Sequence, residues 1–194
     1  MSKHNKQQST NQYIQPLIIL NPTYIAYFDG AYGPTDRGVT AAYGALIIRE
    51  GQTIWECSKL LHPEQGNERQ TSNNVAEYCG LIAILEYLID LGAQQEPIMV
   101  YGDSRLVIQQ MFGSWKIKEG RYVPSAFKAK KLRQLFSNLS GQWIPREQNR
   151  IADALSKAPL QQGNRLSPLR LGDEEQEAYF DRNHEPAWYA PLPS

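Results

Sequence analysis

Four acids stand where a carboxylate has chemical use: Asp29 in "YFDGAYG", Glu77 in "SNNVAEY", Asp103 in "YGDSRLV" and Asp153 in "NRIADALS". Asp29 closes the apolar run "TYIAYF", which reads as a strand with Ile25 and Tyr27 on one face and Tyr24, Ala26 and Phe28 on the other. A strand apolar on both faces is central in a sheet covered on both sides. Asp29 falls on the face of Ile25 and Tyr27, where a carboxylate needs water, a partner or a cation. Glu77 heads a helical stripe that runs on through Leu81, Ile84 and Leu88, so it faces the sheet. Asp103 ends the strand "IMVYG" where a helix begins, and reactive groups in open sheets gather at the carboxyl ends of strands. Asp153 lies early in a final helix.

Taken singly, each acid has an ordinary explanation. Glu77 suits a capping acid in Asn74-Val75-Ala76-Glu77, and Asp103 suits a helix N-cap. Asp153 suits an i,i+4 ion pair with Lys157, and Asp29 a turn before Gly30. Gathered at one sheet edge, the four would repel one another, which raises pKa values or demands divalent cations. Oxygen ligands without His or Cys suit Mg²⁺ or Mn²⁺. Two such ions side by side drive in-line displacement at a phosphodiester.

The elements that must position these acids follow from pattern. Strands are expected at Tyr24–Phe28, Ala41–Arg49 and Thr53–Leu61. Glu50-Gly51-Gln52 gives a tight hairpin between the last two; Gly30, Gly33, Pro34 and Gly38 mark a loop between the first two. A helix starts at a cap among Ser72, Asn73 and Asn74 and stops at Gly92. Then come a strand at Ile98–Tyr101, a helix capped by Ser104 and the basic linker "SWKIKEGRYVP". A helix around Ser125–Leu139, a strand at Gln142–Ile144 and a helix capped by Asn149 and ended before Pro159 complete the pattern. The order β-β-β-α-β-α-α-β-α implies an α/β domain, a mixed sheet with helices packed on it.

Composition narrows the class. With 194 residues, 41% hydrophobic, the chain has room for one domain with a real core plus tails. Residues 1–21 read as a polar flexible lead-in, 22–159 as the catalytic domain, and 160–194 as a proline-rich tail with the acidic run "GDEEQE". Two cysteines, Cys57 and Cys79, argue for a reducing compartment and against a disulfide scaffold or a zinc site. The longest apolar run, "CGLIAIL", is too short to span a membrane, and the N-terminus lacks a signal peptide's apolar core. A monomeric cytoplasmic protein with no membrane partner is expected.

The sequence resembles the type 1 ribonuclease H family over roughly residues 22–158. The pieces "YFDGA", "SNNVAEY", "YGDSRLV" and "IPREQNRIADALS" carry the resemblance in order and spacing, and "AAYGALIIR" looks like the family's second strand. It implies the ribonuclease H-like fold, a five-stranded mixed sheet of three antiparallel strands followed by parallel ones, flanked by helices. It implies endonucleolytic hydrolysis of the RNA strand of an RNA–DNA hybrid by two Mg²⁺ ions, with Mn²⁺ as substitute, leaving 5′-phosphate and 3′-hydroxyl ends. Asp29, Glu77, Asp103 and Asp153 map onto the four metal-binding acids. Asn73 and Asn74 match a run that contacts RNA 2′-hydroxyls, and Gly30 a glycine whose backbone approaches the RNA. Ser104, Arg105 and Lys116 are further candidate substrate contacts. Many bacterial members keep a histidine before the last helix; here Arg146, in the short loop "IPREQNR", takes that place. The segment "FGSWKIKEGRYVPSAFKAKKLR" replaces a larger basic protrusion; its lysines and arginines suit phosphate tracking, and Trp115 is expected in the core. Two rivals stand beside this reading: a DNA-directed nuclease or integrase on the same fold, and a hybrid-binding module without catalysis. The "SNNVAEY" run opposes the first and the intact acid quartet the second.

Overall fold

The computed structural model describes residues 21–35, 38–61 and 72–162. The lead-in and most of the tail therefore lie outside the described residues. The elements in chain order are β1 (Tyr24–Thr35), β2 (Gly38–Arg49), β3 (Gln52–Leu61), α1 (Asn73–Asp90), β4 (Ile98–Gly102), α2 (Arg105–Met111), α3 (Val123–Arg133), β5 (Leu139–Trp143) and α4 (Arg150–Gln162). One five-stranded sheet has the order β3-β2-β1-β4-β5. β1 is antiparallel to β2 and parallel to β4, and β5 is parallel to β4. The expected mixed sheet is therefore present, with β1 at its centre. No helix among the described residues is long and apolar enough to cross a membrane.

The two faces of β1 receive different helices. Tyr24, Ala26 and Phe28 are buried with Tyr78, Leu81, Ile84, Leu85 and Leu88 of α1, in a core that extends to α2 and α3. α4 packs on the opposite face, where Gly44 of β2 lies under Ala152, Leu155 and Ser156. The β2–β3 turn has Glu50 at φ 52° and Gly51 at φ 76°, the positive angles that a two-residue hairpin requires. Gly92, at φ 74°, stops α1 as expected.

Several boundaries differ from expectation. β1 does not stop at Phe28. Its pairing with β2 continues from Gly30↔Tyr43 to Thr35↔Gly38, so the expected glycine loop is mostly ladder. Gly30 is there for proximity: a Cβ on it would collide with the Glu77 backbone nitrogen. α3 begins at Val123, with Pro124 tolerated in its first turn, and ends at Arg133 rather than near Leu139. Leu139 instead opens β5, paired with Ile98. Trp115 is 52% exposed, not in the core as expected; Tyr122, seven residues on, is the aromatic of this segment that packs inward, stacked on Tyr78.

α4 runs through Pro159 to Gln162, so the boundary expected at 159 falls inside a helix. Proline there cannot donate to the Leu155 carbonyl four residues back. That carbonyl accepts instead from Ser58 Oγ of β3, at 2.6 Å. The same bond ties α4 to the edge of the sheet.

Candidate active site

The parallel pairing of β1 with β4 ends at Phe28↔Gly102, and the next residues are Asp29 and Asp103. Two acids thus stand side by side where the parallel pairing ends, Asp103 just beyond the carboxyl end of β4, where open sheets place their ligands, and Asp29 midway along β1, which runs on to Thr35. Gly30 lets α1 approach β1 closely and brings Glu77 over the same point. One carboxylate oxygen from each of Asp29, Glu77 and Asp103 lies within 4.8 Å of the others.

The ordinary explanations for two of these acids fail. The cap of α1 is Ser72, whose hydroxyl accepts from Val75 N, so Glu77 lies too far into the helix to be the capping acid. The cap of α2 is Ser104, whose hydroxyl accepts from Val107 N, so Asp103 is not the cap either. Asp29 and Glu77 are 2% and 5% exposed, an uncommon burial for charged groups. Burial pushes the Asp29 carboxyl up to about 6; the Ser156 hydrogen bond opposes this and the charges of Asp103 and Asp153 reinforce it. Burial, then the charges of Asp29 and Asp103, push Glu77 well above the ordinary range, countered only in part by the Asn73 amide and the Gly30 backbone. Asn73 Nδ2 donates to Glu77 Oε1 at 3.3 Å, while Glu77 Oε2 is buried with no partner.

Asp153 stands apart from the three. Its Oδ2 takes a hydrogen bond from Lys157 Nζ at 2.7 Å, the i,i+4 pair expected as its ordinary explanation. Its Oδ1 takes a second from Arg146 Nε at 2.8 Å, and Arg146 Nη2 adds a closer contact. Burial alone would raise the Asp153 carboxyl, but these two cations hold it below the usual range. Its charge still reaches Asp29.

Three residues of the site were not recognised as such in the sequence. Asn149, read only as a cap, is 1% exposed and donates through Nδ2 to Phe28 O at 2.9 Å and to Asp103 Oδ1 at 3.0 Å. Ser156, fully buried, donates to Asp29 Oδ2 at 2.6 Å. Trp143 Nε1 donates to the Asp103 carbonyl at 3.0 Å. An Asn and a Ser flanking Asp153 at −4 and +3 were the available signal, since both positions lie on the helix face that Asp153 begins.

Of the other candidate residues, Asn73 reaches the cluster through its hydrogen bond to Glu77. Asn73 and Asn74 are exposed at the start of α1. Ser104 is half-buried at its cap, and Arg105 lies 4.3 Å over the Trp143 ring. Lys116 is exposed; it lines, with Leu106, Gln110, Trp115, Lys118 and Tyr122, an open cleft of about 400 Å³. Gly30 is buried beneath α1. Cys57 and Cys79 are free.

Comparison with known proteins adds a context for this geometry. The family described as reverse transcriptase-like matches residues 27–158. A bifunctional protein of Mycobacterium tuberculosis is 37% identical over 116 residues, 60% of this chain; the chain spans only 30% of that protein's length. A ribonuclease HI of Halobacterium salinarum is 33% identical over 141 residues, 70% of this chain and 63% of its own. The crystal structure of the Halobacterium salinarum RNase H1 superposes with TM-score 0.59 at 31% identity, covering 72% of this chain and 98% of that one. LC11-RNase H1 in complex with an RNA/DNA hybrid superposes with TM-score 0.60 at 34% identity, covering 72% and 97%.

Proposed function

The chain belongs to the ribonuclease H family, and on that premise we propose that it cuts the RNA strand of RNA–DNA hybrids endonucleolytically, with two Mg²⁺ ions, leaving 5′-phosphate and 3′-hydroxyl ends. The observation that carries this reading is the close triad of buried Asp29, buried Glu77 and half-buried Asp103. Three carboxylates this close, two of them buried, are unfavourable without cations, and Glu77 Oε2 is a buried acceptor with nothing to accept from. An all-oxygen donor set fits Mg²⁺, or Mn²⁺ in its place. Asp29, Glu77 and Asp103 would hold the first ion; Asp29 with Asp153 would hold the second. Such ions would supply charge neutralisation for the scissile phosphate and would lower the pKa of a water so that hydroxide is available as nucleophile.

The chain's own groups do the rest. Asn149 fixes the Asp103 carboxylate and ties it to the β1 backbone through Phe28 O. Trp143 holds the Asp103 backbone from the β5 side and supports the Arg105 guanidinium. Exposed Asn73 and Asn74 offer amide donors and acceptors beside Glu77, suited to a ribose 2′-hydroxyl, the group that tells RNA from DNA. Arg105, with Lys116, Lys118 and Arg121 of the linker before α3, supplies charge for phosphates, and Ser104 lies beside Arg105 at the head of α2. Arg146 stays protonated, so it contributes a donor fork for a phosphate oxygen and not a base. It must exchange Asp153 for that phosphate, or share itself between them.

The test is cleavage of a hybrid labelled on each strand in turn. RNA cut internally with Mg²⁺, products extendable from their 3′ ends, and no cleavage in EDTA are expected. Cleavage of the DNA strand, or RNA products with 3′-phosphates, would overturn the reading.

A further inference from the structure

We propose that Ser156 is the positioning residue of the cation site: its hydroxyl occupies Asp29 Oδ2 and so fixes the Asp29 carboxylate against the other two acids. This rests on the acid cluster being the cation site proposed above. Ser156 Oγ lies 2.6 Å from Asp29 Oδ2 and 2.9 Å from the Asp153 carbonyl. A hydroxyl carries one proton, so only one of these contacts can be donated at a time. The carboxylate is both nearer and charged, so it is the acceptor of the Ser156 hydrogen bond. Serine and carboxyl are both almost fully buried, so water cannot substitute for either partner.

The fold builds this contact on a close approach of α4 to β2. Gly44 of β2 has no side chain, and a Cβ there would collide with the Ser156 backbone nitrogen. That gap is what lets α4 sit low enough for Ser156 to reach Asp29 on the neighbouring strand. The Ser58 bond to the Leu155 carbonyl, left open by Pro159, holds α4 to the edge strand β3 separately from this contact. A serine that served only to fill a helix would satisfy itself on the carbonyl three residues back. Here the shorter bond goes across to β1 instead. Because Asp153 lies three residues earlier on α4, one hydroxyl couples the position of the helix that carries Asp153 to the orientation of Asp29.

Outer hydrogen bonds of this kind change metal affinity by about 10- to 100-fold when removed. The experiment is a calorimetric titration of Mg²⁺ into metal-free wild type, Ser156→Ala and Ser58→Ala, with thermal melting of each in EDTA. Ser58→Ala is the control: it loosens the anchoring of α4 without touching Asp29. Ser156→Ala is expected to bind Mg²⁺ about 10-fold more weakly while Ser58→Ala stays within about twofold of wild type. Equal Mg²⁺ affinity in Ser156→Ala and wild type overturns the proposal. So does an equal loss in both variants, which would make the effect one of helix anchoring. If wild type itself takes up no Mg²⁺, the cation-site reading fails first, and the positioning role falls with it.

Discussion

Replacing Asp29 with Asn should make the metal-free protein more stable, and only above a certain pH. In EDTA no cation offsets the buried charge, and the folded state pushes the Asp29 carboxyl up to about 6. Between about pH 4 and 6 the folded protein keeps a proton on Asp29 that the unfolded chain has already released. Wild-type stability therefore falls as pH rises through that window and stays low above it. At about 1.4 kcal/mol per pKa unit, displacement from 3.8 to about 6 corresponds to roughly 3 kcal/mol. Asn keeps the useful contacts: its carbonyl can accept from Ser156, and its amide can donate toward the unpartnered Glu77 Oε2. Asp29→Asn should thus match wild type near pH 4 and exceed it by roughly 3 kcal/mol at pH 7, on the order of 10 °C in Tm. Thermal melts of both proteins in EDTA from acid to neutral pH measure this. A variant less stable than wild type at pH 7, or a difference that ignores pH, would refute the electrostatic account of the cluster.

Three further outcomes follow from the same geometry. Asn74→Ala should lower kcat/KM on hybrid by about 5- to 30-fold, the loss of roughly 1–2 kcal/mol of hydrogen bonding, with calorimetric Mg²⁺ binding unchanged; a loss of Mg²⁺ binding would place Asn74 in the cation site instead. Arg146→Ala should slow turnover and move the acid limb of the pH–rate profile upward, because the guanidinium that holds the Asp153 carboxyl down and also lowers Asp29 is gone; an unmoved profile would show that Arg146 tunes neither carboxylate in the working enzyme. Gly44→Ala should destabilise the fold by about 1–3 kcal/mol or more, since the new methyl meets α4 backbone; a variant as stable as wild type would mean that α4 can lift from the sheet at little cost.

The sequence carried the strands and the acids well because both are short-range signals. Apolar faces on both sides of Tyr24–Phe28 pointed to a central strand, and β1 lies between β2 and β4. Period 3.6 from Glu77 to Leu88 pointed that acid at the sheet, and Leu81, Ile84 and Leu88 are fully buried. What was hidden depends on tertiary contact. Gly30 and Gly33 look like turn residues, but with β2 paired alongside they continue the ladder. Pro159 looks like a stop; α4 passes it because Ser58, about a hundred residues away in sequence, takes the carbonyl that proline abandons. Asn149 and Ser156 are commonplace residues near a helix start, and only the packing of α4 on β1 and β2 aims them at Asp103 and Asp29. Asp153 is an ion-pair partner of Lys157 and Arg146, the local i,i+4 signal of its sequence, and lies outside the triad.

The measurement closest to the central claim is initial cleavage rate on three matched duplexes, RNA–DNA, RNA–RNA and DNA–DNA, with Mg²⁺ or EDTA, for wild type and Asp103→Asn. The account predicts rapid cutting of the hybrid's RNA strand by wild type with Mg²⁺ alone, little on the other duplexes, and almost none from a folded Asp103→Asn. Cleavage in EDTA, equal cutting of DNA–DNA, or a near wild-type rate in Asp103→Asn would contradict it.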